Sequence, residues 1–251
     1  MGAMPAAPAP HPSAGSTVAT ARWSVVLPVK GGAGAKSRLV HPKRVELSRA
    51  FALDAVHAVL GSPTVARVLV VTGDAQITAA HLALGADIVV DPGTGLQAAL
   101  QAGAAAAAPD APCALLLADL PALRAEDVDV ALRACAEVLA DAGVEQVTVP
   151  DADGDGTVLL AAWRPVLLRP AFGPGSAAAH ARMALVLHDA PARLRRDVDE
   201  EQHLRQVMLL GVGPRTAAVL RSGPARRDAG PTAQVRSTIA PSEASLSPKR
   251  S

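Results

Sequence analysis

The stretch Val25-Val26-Leu27-Pro28-Val29-Lys30-Gly31-Gly32-Ala33-Gly34-Ala35-Lys36-Ser37-Arg38-Leu39 runs from an apolar β-pattern into a glycine-rich loop carrying two lysines and an arginine. Glycine lets backbone N–H groups approach an anion with no Cβ in the way, and the cations suit a phosphate-bearing ligand. Two motifs come close. A P-loop needs G-x-x-x-x-G-K-[ST]; Lys36-Ser37 matches its end, but Ala35 and Lys30 stand at its two glycines. A dinucleotide fingerprint could begin at Gly32-Ala33-Gly34, but Ser37 replaces its third glycine. Two readings remain: a nucleotidyltransferase loop gripping a triphosphate, or a solvated basic turn.

Outward from this loop, strand and helix patterns alternate. Strands are predicted at Trp23–Val29, Val65–Thr72, Ala86–Val90, Ala111–Ala118, Val144–Pro150 and Thr157–Ala162. Helices are predicted at Val45–Leu60, Ala75–Leu84, Leu96–Ala108, Ala125–Ala142, Ser176–Leu187 and Glu200–Leu209. This alternation predicts an α/β fold whose mostly parallel sheet has helices on both faces, with ligands at the carboxyl ends of the strands. Residues 1–21 and 222–251, rich in Ala, Pro, Ser and Arg, read as disordered extensions flanking a domain over 22–221.

Composition narrows the function. Half of the 251 residues are hydrophobic, ample for a core, and the net charge of +1 calls for neither nucleic acid nor an anionic membrane. The 2% aromatic content, with no tyrosine, argues against base-stacking platforms of the single-strand-binding type. No apolar run reaches a membrane span and no signal peptide stands out, so the expected location is the cytoplasm. Cys113 and Cys135 lack metal-ligand spacing and read as buried thiols in a reducing compartment.

Several post-strand loops carry chemistry. Asp119 follows the run Ala114–Leu117, where a buried carboxylate needs a partner, and Mg²⁺ suits it; the alternative is a helix cap. Asp197 and Asp199 follow Arg195-Arg196, with Asp199 placed to cap the helix beginning at Glu200 and Asp197 to face the site. Asp151–Thr157 begins D-x-D-G-D-G, which breaks the EF-hand order; it reads as a tight turn presenting the Thr157 N–H and hydroxyl to an anion. Gly173-Pro174-Gly175-Ser176 at a helix start reads as an anion site built on free N–H groups, or as an ordinary Ser-capped helix.

Taken in order, Lys30, Lys36-Ser37-Arg38-Leu39, Ala118–Leu123, Gly156-Thr157, Phe172–Ser176 with His180, Arg196–Asp199 and Leu210–Pro214 resemble the 2-phospho-L-lactate / phosphoenolpyruvate guanylyltransferases of coenzyme F-420 biosynthesis. The resemblance spans about Ser24 to Leu220. It implies a single-domain nucleotidyltransferase fold and transfer of GMP from GTP to the phosphate of a three-carbon acid, with release of pyrophosphate. It implies that Asp119 and Asp197 hold Mg²⁺, that Thr157, Gly173 and Ser176 bind the acceptor, and that Lys30, Lys36 and Arg38 lie along the GTP phosphates. A labile product handed to the next enzyme and a homo-oligomer are compatible with it. Two positions depart from the family pattern: Gln97, where asparagine is usual, and Asp155, which adds negative charge beside Thr157. The alternatives are another nucleotidyltransferase of this fold, with a molybdopterin or sugar-phosphate acceptor, and a non-catalytic nucleotide-binding protein.

Overall fold

Both faces of β1 (Trp23–Pro28) are apolar and both are covered, as a central strand of a parallel sheet requires. Trp23, Val25 and Leu27 enter one core and Val26 the other, following the two-residue period of a strand. The structure, a computed structural model, describes residues 21–31 and 36–222. The two extensions read from sequence, apart from their innermost residues, and Gly32–Ala35 of the glycine-rich loop lie outside the described residues.

β1 pairs in parallel with β2 (Val65–Thr72) on one side and β4 (Cys113–Leu116) on the other, and β2 pairs in parallel with β3 (Asp87–Val90). β6 (Thr157–Ala162) lies antiparallel between β4 and β5 (Val147–Pro150), and the short β7 (Leu185–Val186) is parallel to β5. The order β3-β2-β1-β4-β6-β5-β7 makes a seven-stranded, mostly parallel sheet in one α/β domain, as expected. α1 (Arg44–Leu60) and α4 (Ala125–Asp141) cover one face, with Ile77 of α2 (Ala75–Leu82) in the same core. α3 (Leu96–Ala106) covers the other face, so close that a Cβ on Gly103 would overlap the Val26 side chain.

The predicted helix over Ser176–Leu187 is corrected. Only α5 (Ser176–His180), a single turn, is helical; the Met183 and Ala184 N–H groups both close on the His180 carbonyl. The next N–H groups go to the sheet, Leu185 to the Gln146 carbonyl and Leu187 to that of Thr148, and sheet pairing overrides the helix propensity of the alanines. Three further helices follow: α6 (Ala192–Arg195), α7 (Glu201–Leu210) and α8 (Pro214–Arg221). α8 docks on α1 through the buried Asp54, whose carboxylate accepts the Arg215 and Thr216 N–H groups at 3.1 and 2.8 Å. A third apolar cluster, including Phe51, Ala122, Val198 and Val207, joins α1 and α7 to the two loops that carry the acidic residues. Among the described residues no helix is long and apolar enough to cross a membrane.

Candidate active site

The strand order reverses between β1 and β4, and the crevice at such a switch point is where open α/β sheets bind ligands. A cleft of about 460 Å³ opens there. Its lining includes Lys30, Lys36 and Arg38 beyond β1, together with Asp119 beyond β4. Thr157, Gly173, Ser176 and Asp197 complete it, so every site residue singled out from sequence meets in one cavity. Thr157 reaches this edge because β6 is antiparallel: its first residue pairs with Pro150, the last of β5, and stands two residues before Leu159, which pairs with Leu116 at the end of β4.

One wall is acidic. Carboxylate oxygens of Asp119, Asp197 and Asp199 lie within 4.8 Å of one another. A like-charge pair at that separation costs roughly 3–4 kcal/mol at an effective dielectric of about 20, so the group requires a cation. Lys36 supplies one, with Nζ bonded to Asp119 and, at 2.8 Å, to Asp199, while Arg38 also pairs with Asp199. Lys36 takes a left-handed φ of +51°, an uncommon conformation for a side-chain-bearing residue and one found at ligand clamps. Burial works against its charge, but Asp119 and Asp199 outweigh burial and raise its pKa. Burial, followed by the Asp119 charge, pushes the Asp197 carboxyl up to about 7. For Asp199 burial acts in the same sense, yet Lys36 and Arg38 prevail and hold it below the usual carboxylate range.

The chain supports this crowding with apolar burial. Val198 is fully buried between the two carboxylates, and its N–H donates to the Asp119 carbonyl at 3.1 Å. Burying such a side chain contributes about 1.5–3 kcal/mol, which anchors the segment against the repulsion. Behind it, Arg196 makes a two-pronged pair with Asp153 at 2.8 and 3.0 Å, tying this loop to the one before β6. Asp199 therefore belongs to the site and is not a helix cap; the N-cap of α7 is Glu200. The alternative cap role for Asp119 also falls, since α4 is preceded by Arg124 at its N-cap.

The acidic trio fits a divalent cation on a further observation. Asp119 Oδ1 is buried with no protein partner, an arrangement that leaves a strong acceptor aimed at something else. Hard cations such as Mg²⁺ take such oxygen ligands.

The opposite wall is built around neutral hydroxyls, with two carboxylates, Asp151 and Asp155, that backbone N–H groups hold. The Asp151 carboxylate is spent on its own loop, accepting N–H groups from Gly154, Asp155 and Gly156 at 2.6, 3.2 and 2.7 Å. Asp155 accepts the Gly175 N–H at 3.1 Å, so part of its charge is already compensated. The Gly173–Ser176 expectation needs correcting: the Ser176 N–H closes on Gly173 and the Ala177 N–H on Asp155, so the amides expected to meet an anion are in use. What remains toward the cleft is the Ser176 hydroxyl, buried and without a partner, on a loop that Gly173 shapes with φ +127°. Gln97 bonds Phe172 through both ends of its amide, donating to the carbonyl and accepting the N–H at 3.3 Å. It thereby fastens that loop to α3. Sequence reasoning missed this fastening, and it assigned Asp199 elsewhere; the D-x-D spacing on an extended segment, which puts both carboxylates on one side, was the signal available.

The MobA-like NTP transferase domain family matches residues 33–204. A phosphoenolpyruvate guanylyltransferase of Streptomyces coelicolor is 47% identical over 79% of this chain and 95% of its own length. Another, from Thermomonospora curvata, is 45% identical over 81% and 90%. Among solved structures, 4-diphosphocytidyl-2C-methyl-D-erythritol synthase from Anaerococcus prevotii shares the fold, with a TM-score of 0.50 at 12% identity over 82% of this chain and 99% of that one. The chain belongs to the MobA-like NTP transferase family and, within it, to the phosphoenolpyruvate guanylyltransferases.

Proposed function

We propose that this enzyme transfers GMP from GTP to the phosphate of phosphoenolpyruvate and releases pyrophosphate. The observation that carries the reading is the cleft itself: an acidic trio with an orphaned oxygen faces two hydroxyl side chains across a space bordered by lysine and arginine. The similarity to the Streptomyces coelicolor enzyme supports the choice of acceptor and nucleotide. Asp119, Asp197 and Asp199 would hold Mg²⁺, which when bound supplies Lewis-acid neutralisation of phosphate oxygens. Lys30, Lys36 and Arg38 would lie along the GTP phosphates, and Thr157, Gly173 and Ser176 would hold the acid.

A phosphate monoester is ionised at neutral pH, so the acceptor needs no general base. An acceptor phosphate oxygen forms a bond to the α-phosphorus of GTP as the bond to the departing pyrophosphate breaks. The residues around it bring two anions together and offset the charge that grows on the leaving group. In this reading the enzyme works in the cytoplasm and passes its labile product to the next enzyme of coenzyme F-420 biosynthesis.

The test is pyrophosphate release from GTP with Mg²⁺ in the presence of phosphoenolpyruvate, 2-phospho-L-lactate, 3-phospho-D-glycerate or no acid, with products identified by mass and trapped if labile. The expected result is pyrophosphate and a guanylylated acid with phosphoenolpyruvate. Release that no acid stimulates would overturn the reading.

A further inference from the structure

Behind the hydroxyl wall lies a fully buried histidine whose two ring nitrogens are both engaged. His180 Nε2 accepts the backbone N–H of Ala171 at 2.9 Å, and His180 Nδ1 lies 2.8 Å from the Thr157 hydroxyl. The amide is an obligatory donor, so Nε2 must carry the lone pair. A neutral imidazole then has its proton on Nδ1, and that nitrogen donates to Thr157 Oγ1. The reverse assignment would set an Nε2–H against the Ala171 N–H, two donors face to face inside the core. The edge-on contact of the ring with Phe172, centroids 5.1 Å apart, holds its orientation. Burial keeps the ring on the neutral side, more strongly than the Ser176 carbonyl favours its protonated form.

We propose that His180 is a positioning residue that fixes the Thr157 hydroxyl as a proton donor into the cleft. Because Thr157 Oγ1 accepts from His180, its own proton is free, and Thr157 lines the cavity. Accepting one hydrogen bond also strengthens the next one donated, so the hydroxyl is polarised for an anionic oxygen. The backbone amide of Ala171 thus decides, through the imidazole, which way a hydroxyl 14 residues before it in the chain points. The same ring ties the Ala171–Phe172 segment to β6, so the loop carrying Gly173 and Ser176 is set relative to Thr157. The inference rests on the proposed binding of the acceptor acid by Thr157; His180 itself does not line the cleft.

Two measurements test it. The first, ¹⁵N NMR of the imidazole in the unliganded wild-type protein, needs no activity: the expected spectrum has protonated Nδ1 and unprotonated Nε2, and an Nε2–H tautomer overturns the proposal. The second is a kinetic cycle with phosphoenolpyruvate as the varied acceptor. Asparagine can place an N–H near the position of Nδ1, whereas leucine cannot. His180→Leu is therefore expected to raise the acceptor KM roughly tenfold, the scale of one hydrogen bond to a charged group, with His180→Asn restoring much of the loss. In a Thr157→Val background His180→Leu should add little, because the hydroxyl it acts through is gone. Multiplying effects, or a KM unmoved by His180→Leu, would overturn the relay. If no acid supports turnover in the wild type, the functional reading fails on its own, and the tautomer still decides this one.

Discussion

The two walls of the cleft solve opposite problems. On one side Asp119, Asp197 and Asp199 concentrate negative charge that the fold tolerates only because Lys36 and Arg38 neutralise it and Val198 anchors the segment. On the other, Thr157 and Ser176 present uncharged hydroxyls, supported by a buried neutral histidine and a loop held by Gln97. A wall of like charges is unstable alone and calls for a cation; a wall of hydroxyls folds without a counter-ion and leaves the Ser176 hydroxyl free for a ligand. Damage to each should therefore appear in different kinetic quantities. On the proposed reading, changes to the acidic wall should alter turnover and metal requirement, and changes to the other wall the affinity for the acid.

The largest break is expected at the acidic wall. Asp197→Asn keeps the shape of the side chain and removes its charge, so turnover in the pyrophosphate assay should fall about 10²-fold, the scale of losing one electrostatic stabiliser. On the hydroxyl wall, Gly173→Ala forces a side chain onto φ +127°, which glycine alone adopts readily. The displaced loop should raise the acceptor KM several-fold while the KM for GTP stays near wild type, a split that initial rates over both substrates would read.

A third prediction concerns acid. In the unfolded chain a histidine takes up its proton near pH 6.5, whereas burial keeps His81 and His180 below that value in the fold. The unfolded state then binds more protons as the pH falls, so this contribution to stability is full above about pH 6.5 and is lost as the pH drops through it. The Asp197 carboxyl, held up at about 7 in the fold, works in the opposite sense and gains stability over the same range, so the histidine contribution is read as a difference: between neutral and mildly acidic pH the urea midpoint of His180→Asn should fall less, or rise more, than that of the wild type. An identical pH dependence in that variant would contradict the assignment to His180. The smallest effect is expected at the thiols, which belong to neither wall. Burial pushes both Cys113 and Cys135 up to about 12, so iodoacetamide at mildly alkaline pH should leave them unmodified in the folded protein and label both in urea.

The two walls were also unequally legible. Asp119 could be read because a carboxylate ending the apolar run Ala114–Leu117 is out of place unless something binds it. The strands from β1 to β6 follow from apolar runs that short-range patterning reports well; the shared direction of β1 to β5 follows from the helices between them, whereas β6, joined to β5 by a short loop, runs antiparallel. The hydroxyl wall depends on pairings between distant residues, such as Gln97 with Phe172 and His180 with Thr157, which no local pattern encodes. β7 failed for the same reason: Leu185 and Leu187 join the sheet through Gln146 and Thr148, against the preference of the alanine-rich run before them. α8 had a local signal in Pro214 at its first turn, but its docking relies on Asp54, far away in α1.

The division between the walls is tested most directly by titrating turnover with Mg²⁺ in the wild type, Asp119→Asn and Thr157→Val at saturating GTP. The prediction is that Asp119→Asn shifts the half-saturating Mg²⁺ upward by about tenfold or more, on the scale of a lost charged ligand. Thr157→Val should leave that value in place while its acceptor KM rises. A Mg²⁺ requirement that Thr157→Val shifts as far as Asp119→Asn, or that Asp119→Asn leaves unmoved, would contradict it.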